Sequence, residues 1–405
     1  MSASTIPGRT RILAPLILSA LVLALYWRTP VFLATCEQNV QDLLLNLAPT
    51  KRSDSSTCVI LTGESSSPKT AKMDAQGIAK IITAVAQGKP RAIGICDCPA
   101  DADAAFEAAV RGAGKTVVGY RLACDVKDSP RGSLGVVEKS RIQFSTNPWG
   151  RPRRWMPSPQ AVLECANARA VDAADGCGFS NIPPDADGVA RGVPLVAWAE
   201  HAPYQGFPVA LLAVSLGARR VTLRLKGEAV EGIDVDGLRV NTDSGGRLMF
   251  REYAGGMVCS AAALLEGKLP PPVFSGKIVL IGSSGRRLRT RTSPSVPEAV
   301  ILATAAENAL RDDYLRRSRG MGLLEIALII GAPFAIAHLA GWRKMAATLG
   351  VPALVAVGAV ILLMLFRQEM RVFYPGISAL ISWILPSGRR TRARSEKRPY
   401  PSSPL

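Results

Sequence analysis

Long apolar runs lie near both ends of the chain, and a mixed pattern of short apolar runs and amphipathic stretches fills the middle. Residues 12–28 are almost wholly apolar, as are residues 321–341 and 345–366. A further apolar stretch, residues 372–385, is only 14 residues long and contains Pro375. A helix needs about 20 apolar residues to cross a bilayer. We therefore predict transmembrane helices at 12–28, 321–341 and 345–366, and a short fourth one at 372–385.

Residues 58–120 alternate between the two kinds of secondary structure. The short apolar runs 58–62, 92–96 and 116–120 have the pattern of buried strands. The intervening residues 74–87 and 103–111 carry apolar positions at helical spacing and end near glycine. Strands that alternate with helices of this length form βαβ units. The pattern predicts an α/β domain with a mostly parallel central sheet flanked by helices.

The remainder of the middle region adds further elements to this domain. Residues 277–282 form an apolar run closed by Gly282, and residues 298–310 form a helical pattern that leads to the membrane segment at 321. We also predict a strand at 189–198, a helix at 208–216 and an irregular insert at 127–154. Asp236-Gly237 within residues 233–240 predicts a hairpin, because Asp-Gly accepts the positive φ angles of a type I′ turn.

Several motifs occur in an order that resembles a known family. They lie at residues 41–44 (QDLL), 58–61 (CVIL), 92–97 (AIGICD), 181–191 (NIPPDADGVAR) and 277–282 (KIVLIG). Together with the membrane segment that follows, they resemble the second CHASE-type extracellular sensor domain family, which is associated with cyclases and histidine kinases. The resemblance covers most of residues 36–315 and implies an extracytoplasmic sensory role. The chain departs from the family at residues 297–303, where the family's Gly and His are absent, and at Arg289, where the family has Asp.

The chain carries a net charge of +17, which suits either nucleic acid or a membrane surface. No zinc-finger or RNA-binding signature supports nucleic acid. Basic residues in the segment 343–344 and in the tail 386–405 place these parts in the cytoplasm together with residues 1–11. The three arginines at 316, 317 and 319 oppose this orientation. We predict an inner-membrane multi-pass protein with residues 36–315 outside, anchored by 12–28; a cleaved signal peptide is the alternative.

All eight cysteines lie between the first and second apolar segments, as expected in an oxidising compartment. Two pairs are predicted to lie within bridging distance. Cys98 and Cys124 both follow predicted parallel strands, and Cys165 and Cys177 bracket a short loop. With two histidines in the chain, we predict no zinc site and no other metal or cofactor.

Polar residues at the carboxyl ends of parallel strands are the candidate ligand site, since open α/β sheets bind ligands there. Asp97 follows one such strand, and Ser283 and Ser284 follow another. The alternative is that these side chains only cap turns and satisfy loop backbone. Glu325, inside a membrane segment, is interpreted as structural or interfacial rather than functional.

Catalytic patterns are weak. The segment 282–285 lacks the Gly-x-Ser-x-Gly spacing of a nucleophile elbow. Residues 185–188 resemble the start of a calcium loop, but Ala190 and Val196 stand where an EF-hand needs Gly and Glu, so we predict an Asp-Gly turn.

We predict a membrane sensor rather than an enzyme, with the bilayer and an unknown small-molecule or protein ligand as partners. Only 20 residues follow Leu385, too few for an output domain, so we expect it to signal through a partner in trans. An envelope scaffold with a degenerate sensor domain is the alternative. In a sensor, the helix at 298–310 is expected to couple the strand ends to the membrane.

Overall fold

The computed structural model describes residues 8–47, 55–63, 74–99, 102–122, 134–146, 168–199, 202–227, 229–252 and 256–385. The helices are α1 (Gly8–Arg28), α2 (Val31–Leu47), α3 (Ala75–Ala86), α4 (Ala104–Ala113), α5 (Ala168–Ala173), α6 (Phe207–Leu216), α7 (Ala261–Leu265), α8 (Glu298–Arg311), α9 (Arg319–Ala337), α10 (Trp342–Phe366) and α11 (Phe373–Ile381). The strands are β1 (Thr57–Thr62), β2 (Ala92–Ile95), β3 (Thr116–Tyr120), β4 (Phe144–Ser145), β5 (Gly176–Phe179), β6 (Gly192–Pro194), β7 (Val196–Ala199), β8 (Ala202–Gln205), β9 (Val221–Lys226), β10 (Ala229–Val235), β11 (Leu238–Asn241), β12 (Arg247–Met249), β13 (Met257–Ser260), β14 (Ile278–Ser283), β15 (Arg287–Leu288) and β16 (Val296–Pro297).

The chain divides into two compact units. One unit holds Asn46–Arg317 together with Leu363–Glu369 and is called the ectodomain below. The other holds the chain up to Leu45, Ser318–Leu362 and the chain from Met370, and is called the helical unit. Cys36, where we predicted the extracytoplasmic part to begin, lies within α2.

A six-stranded parallel sheet forms the centre of the ectodomain, in the order β13-β1-β14-β2-β3-β5. Successive side chains of β1 enter opposite cores: Cys58 and Ile60 pack with α3, α4, α5 and α7, whereas Val59 and Leu61 pack with α6 and α8. Because both faces are covered, the strands are apolar throughout rather than alternating. The predicted mostly parallel α/β sheet is confirmed.

Local sequence signals explain where several elements begin and turn. Asp74 and Asp103 cap α3 and α4, each accepting a hydrogen bond of 2.8 Å from a backbone N–H of the first turn. Asp236 and Gly237 have φ angles of 50° and 100°, so the predicted hairpin between β10 and β11 is confirmed.

Other local predictions were incomplete. The predicted strand at 189–198 is two short strands, β6 and β7, because each pairs with a different partner. The predicted irregular insert contains a 3-10 segment, Leu134–Ser140, and β4, which adds to the four-stranded sheet β11-β10-β9-β4. Edge strand β13 was not predicted from the sequence.

Two described helices are long and apolar enough to cross a membrane: α9 over Gly320–Ala337, and α10. Helices α1 and α2 pass the same test only as a pair, and they are bent by 87° at their break. The break falls at Thr29, with a φ of 35°, and Pro30. Counting this pair as one span gives up to three spans within the described residues.

Two buried carboxylates hold the start of α11 in the helical unit. Glu325, fully buried, accepts hydrogen bonds from the Tyr26 hydroxyl (2.6 Å) and from the backbone N–H of Arg371 (2.7 Å). Glu37 accepts from the next two backbone N–H groups, of residues 372–373, at 3.0 and 3.2 Å. The first N–H groups of a helix have no partner within the helix. These contacts are those of a structural group, one of the two roles, structural or interfacial, predicted for Glu325.

Candidate functional site at the carboxyl edge of the sheet

The candidate site lies where three neighbouring strands of the central sheet end. β1, β14 and β2 run parallel and in register, so Thr62 lies beside Ser283, and Ile281 beside Ile95. The residues that follow these strands therefore meet at one edge of the sheet, where open α/β sheets bind ligands. The next strand, β3, ends at Tyr120 on the same side.

The structure brings two of the three predicted ligand-site residues into direct contact. The Asp97 carboxylate accepts a hydrogen bond of 3.1 Å from the backbone N–H of Ser283. The Ser283 hydroxyl in turn accepts from the N–H of Gly285 at 3.1 Å. The N–H of Ser284 donates instead to the carbonyl of Thr62 (2.9 Å), which continues the pairing of β14 with β1. Asp97 and Ser283 thus form one element of the edge, and Ser284 shapes its backbone.

Three charged residues at the same edge were missed from the sequence. Glu298, the first residue of α8, is 7% exposed and pairs with Arg121 at 2.8 Å. Arg286, in the loop after β14, lies 3.6 Å from the Asp97 carboxylate and accepts at its carbonyl from the Glu298 N–H (2.9 Å). We call Asp97, Arg121, Arg286 and Glu298 the edge cluster. Arg121 directly follows β3, so the rule that selected Asp97 would also have found it.

Burial determines the electrostatics of the edge cluster. Removal of the Glu298 carboxyl from water raises its pKa above the usual range, and the nearby Asp97 carboxylate raises the pKa further. The Arg121 and Arg286 guanidinium groups lower the pKa but do not cancel the effect of burial. The pKa of the Cys96 thiol, also buried at this edge, is raised well above its usual range by the same desolvation. A raised pKa disfavours the thiolate, which is the reactive form of cysteine.

Close contact between β14 and α8 fixes the geometry of the edge. A Cβ atom added to Gly282 would lie 2.5 Å from the Cβ of Ala299. Only glycine permits α8 to start this near the strand end. The Gly282 that closes the strand motif is thus needed for the position of Glu298.

The cysteine predictions are only partly covered by the described residues. Cys98 follows β2 and is half-buried, and Cys177 is fully buried in β5. Cys124 and Cys165, their predicted partners, lie outside the described residues. Both pairings stay predictions.

The motif at 185–191 forms a closed structural network rather than a ligand loop. The N–H of Gly188 donates to the Asp185 carbonyl at 2.9 Å, which confirms the predicted Asp-Gly turn. Arg191, 2% exposed, pairs with Asp187 at 2.7 Å and with Asp185 at 3.3 Å, and its hydrogen bonds lower the pKa of Asp187. Arg247 also pairs with Asp185, at 2.9 Å. The carboxylates of Asp185 and Asp187 are therefore engaged in ion pairs with arginine. Over the part of the chain that the structure describes, no three His, Cys, Asp or Glu side chains lie together in a way that could hold a metal ion.

Comparison with protein-family models gives one match. The model of the CHASE2 domain matches residues 17–337. The match covers more than half of the chain and extends from α1 through the ectodomain into α9. No curated protein and no solved structure gives a significant match.

Proposed function

Because the chain belongs to the CHASE2 domain family, we propose that it is a membrane-bound sensor whose ectodomain binds a ligand at the carboxyl edge of its central sheet. One observation carries this proposal: the edge cluster joins the ends of β2, β3 and β14 to Glu298, the first residue of α8. A ligand that competes for Arg121, Arg286 or Asp97 would change the contacts at the start of this helix. α8 then leads, after a short connection, to α9.

The proposed topology has four membrane crossings, with the ectodomain outside and both termini in the cytoplasm. Two observations support a crossing at 372–385. Residues 367–369, which follow α10, belong to the ectodomain. Lys344, near the opposite end of α10, donates from its Nζ to the carbonyl of Trp383 at 2.9 Å and to that of Leu385. The chain from 370 to 385 therefore extends from one end of α10 to the other, although α11 by itself is short for a span.

Reporter fusions test this topology. A reporter active only outside the cytoplasm, fused after Gln143, is expected to be active, and the same reporter fused after Leu405 is expected to be inactive. Activity of the Leu405 fusion would contradict the four-span arrangement while leaving the position of the ectodomain intact.

The proposed role requires no catalysis and no cofactor, and its output is expected to pass to a partner protein in trans. A sensor responds to a ligand only as far as the ligand binds one conformation better than the other. The edge cluster offers groups of both signs, which suits small charged or zwitterionic solutes. An envelope scaffold with the same fold would bind a partner but no such solute.

Thermal unfolding of the full-length protein in lipid nanodiscs distinguishes these roles. The protein is screened against amino acids, dicarboxylates, polyamines and nucleotides, because a bound solute raises the melting temperature by mass action. A solute that stabilises the native protein should lose its effect in Asp97→Asn and in Arg286→Gln, and retain it in the control Arg111→Gln, which removes an exposed pair on α4. Stabilisation that survives both edge substitutions would refute the proposed site. A stable complex with a partner protein that no solute affects would favour the scaffold.

A further inference from the structure

The connection between α8 and the membrane is attached to the ectodomain along most of its length. Tyr314 is fully buried, and its hydroxyl accepts a hydrogen bond of 2.8 Å from the N–H of Asn241. The N–H of Leu315 donates to the carbonyl of Met249 at 2.9 Å. Residues 316–318 follow Leu315 before α9 begins at Arg319.

A second segment of chain joins the ectodomain at the same place. We call residues 367–369, between α10 and α11, the latch. The N–H of Arg316 donates to the carbonyl of Arg367 at 2.9 Å, and the N–H of Glu369 donates to the carbonyl of Arg316 at 2.7 Å. These two hydrogen bonds form a parallel β-bridge between Arg316 and Gln368. The latch is thus paired through its backbone with the connection that follows α8.

Side chains reinforce the latch. The Asp313 carboxylate accepts from Arg367 Nε at 3.0 Å and from Arg251 Nη1 at 3.1 Å. The Asp313 side chain is 14% exposed and that of Arg251 13%, so this shared carboxylate is shielded from water and from salt. Arg367 also donates to the carbonyl of Asp312, the left-handed C-cap of α8. Arg367 itself has a φ of 56°, a conformation that is unfavourable for arginine and persists only where surrounding contacts hold it.

We propose that the latch is a second mechanical attachment between the ectodomain and the membrane helices. A displacement of α8 reaches α9 through residues 317–318 and, in parallel, reaches α10 and α11 through the pairing of Arg316 with the latch. Asp313 acts as the positioning residue, because it binds the latch and the ectodomain strand region at once. The consequence for signalling rests on the proposed sensor function, but the attachment itself exists with or without a ligand.

The attachment is tested in the full-length protein in nanodiscs by electron–electron distance measurement between two spin labels. Labels are introduced as non-canonical amino acids at Lys226 and Leu365, both on exposed positions, so that the native cysteines stay unchanged. One variant carries a Gly/Ser insert of about six residues after Ser318, which by itself allows an r.m.s. span of about 13 Å. A second variant breaks the latch by Arg367→Gln with Glu369→Pro, since proline cannot donate the bridging hydrogen bond. A third variant combines both changes.

The insert alone is expected to leave the width of the distance distribution unchanged, because the latch still holds α10. The combined variant is expected to broaden the distribution by several ångströms, approaching the span of the insert. Broadening by the insert alone to the same width as in the combined variant would overturn the proposal, as would an unchanged width in the combined variant. A variant that joins the insert with Arg367→Gln but keeps Glu369 retains both backbone hydrogen bonds and guards against misfolding. Its distance distribution should be narrower than that of the combined variant. Arg111→Gln with the insert is the matched control and should behave as the insert alone.

Discussion

Replacement of Glu298 by glutamine tests whether burial or ion pairing dominates the edge cluster. The side chain keeps its size and can still accept a hydrogen bond from Arg121, but it no longer titrates. In the native protein, burial raises the pKa of Glu298 despite the arginine at 2.8 Å. In the unfolded chain, a glutamate titrates near its ordinary value of about 4.3. The folded state therefore binds the proton more tightly than the unfolded state.

The sign of the pH dependence follows from this difference. Below about pH 4 the carboxyl is protonated in both states, and the stability associated with the raised pKa is fully present. As the pH rises through the folded-state pKa, that stability is lost. The unfolding free energy of the native protein minus that of Glu298→Gln should therefore fall with rising pH and then level off, with a slope no steeper than about 1.4 kcal/mol per pH unit.

The measurement is the unfolding of both full-length proteins in nanodiscs, followed by calorimetry or by denaturant titration from about pH 4 to pH 7. Glu107→Gln, which removes a carboxylate paired with Arg111 on the outer face of α4, serves as the control for the loss of an ionisable group. A difference that rises with pH would refute the reasoning, because it would mean that the Arg121 pair outweighs the cost of burial.

Three further predictions concern stability and covalent structure. Asn308→Ala should lower the unfolding free energy by about 2–4 kcal/mol, since the buried Asn308 amide binds both the N–H (2.6 Å) and the carbonyl (3.1 Å) of Arg251; denaturant unfolding measures the loss, and a loss no larger than that of Thr83→Ala on α3 would contradict it. Gly282→Ala should cost about 1–3 kcal/mol through overpacking against Ala299, which a lower melting temperature would show and an unchanged one would disprove. Mass spectrometry of unreduced peptides should find two disulfides, Cys98–Cys124 and Cys165–Cys177. Free thiols at all four positions would refute both.

Local patterns determined much of the ectodomain. The apolar runs of β1, β2, β3 and β14 are continuous because both faces of the sheet are covered, and that pattern can be read without the fold. Helix starts at Asp74 and Asp103 and the turn at Asp236-Gly237 depend on residues within a few positions of each other. The rule for the carboxyl ends of parallel strands also placed Asp97 beside Ser283 correctly.

Tertiary structure alone decided which distant segments meet. β14 inserts between β1 and β2, although some 180 residues separate it from β2 along the chain, and no local period encodes such an order. The pairing of Glu298 with Arg121 and the pairing of Arg316 with the latch likewise depend on that order. The spacing of apolar residues in a segment depends only on the environment of that segment. Strand order, ion pairs and β-bridges depend on the free energy of packing the whole chain. The sequence therefore specified the central strands, most helices and the Asp97–Ser283 part of the candidate site. Packing decided the charged residues that meet there and the pairing of Arg316 with the latch.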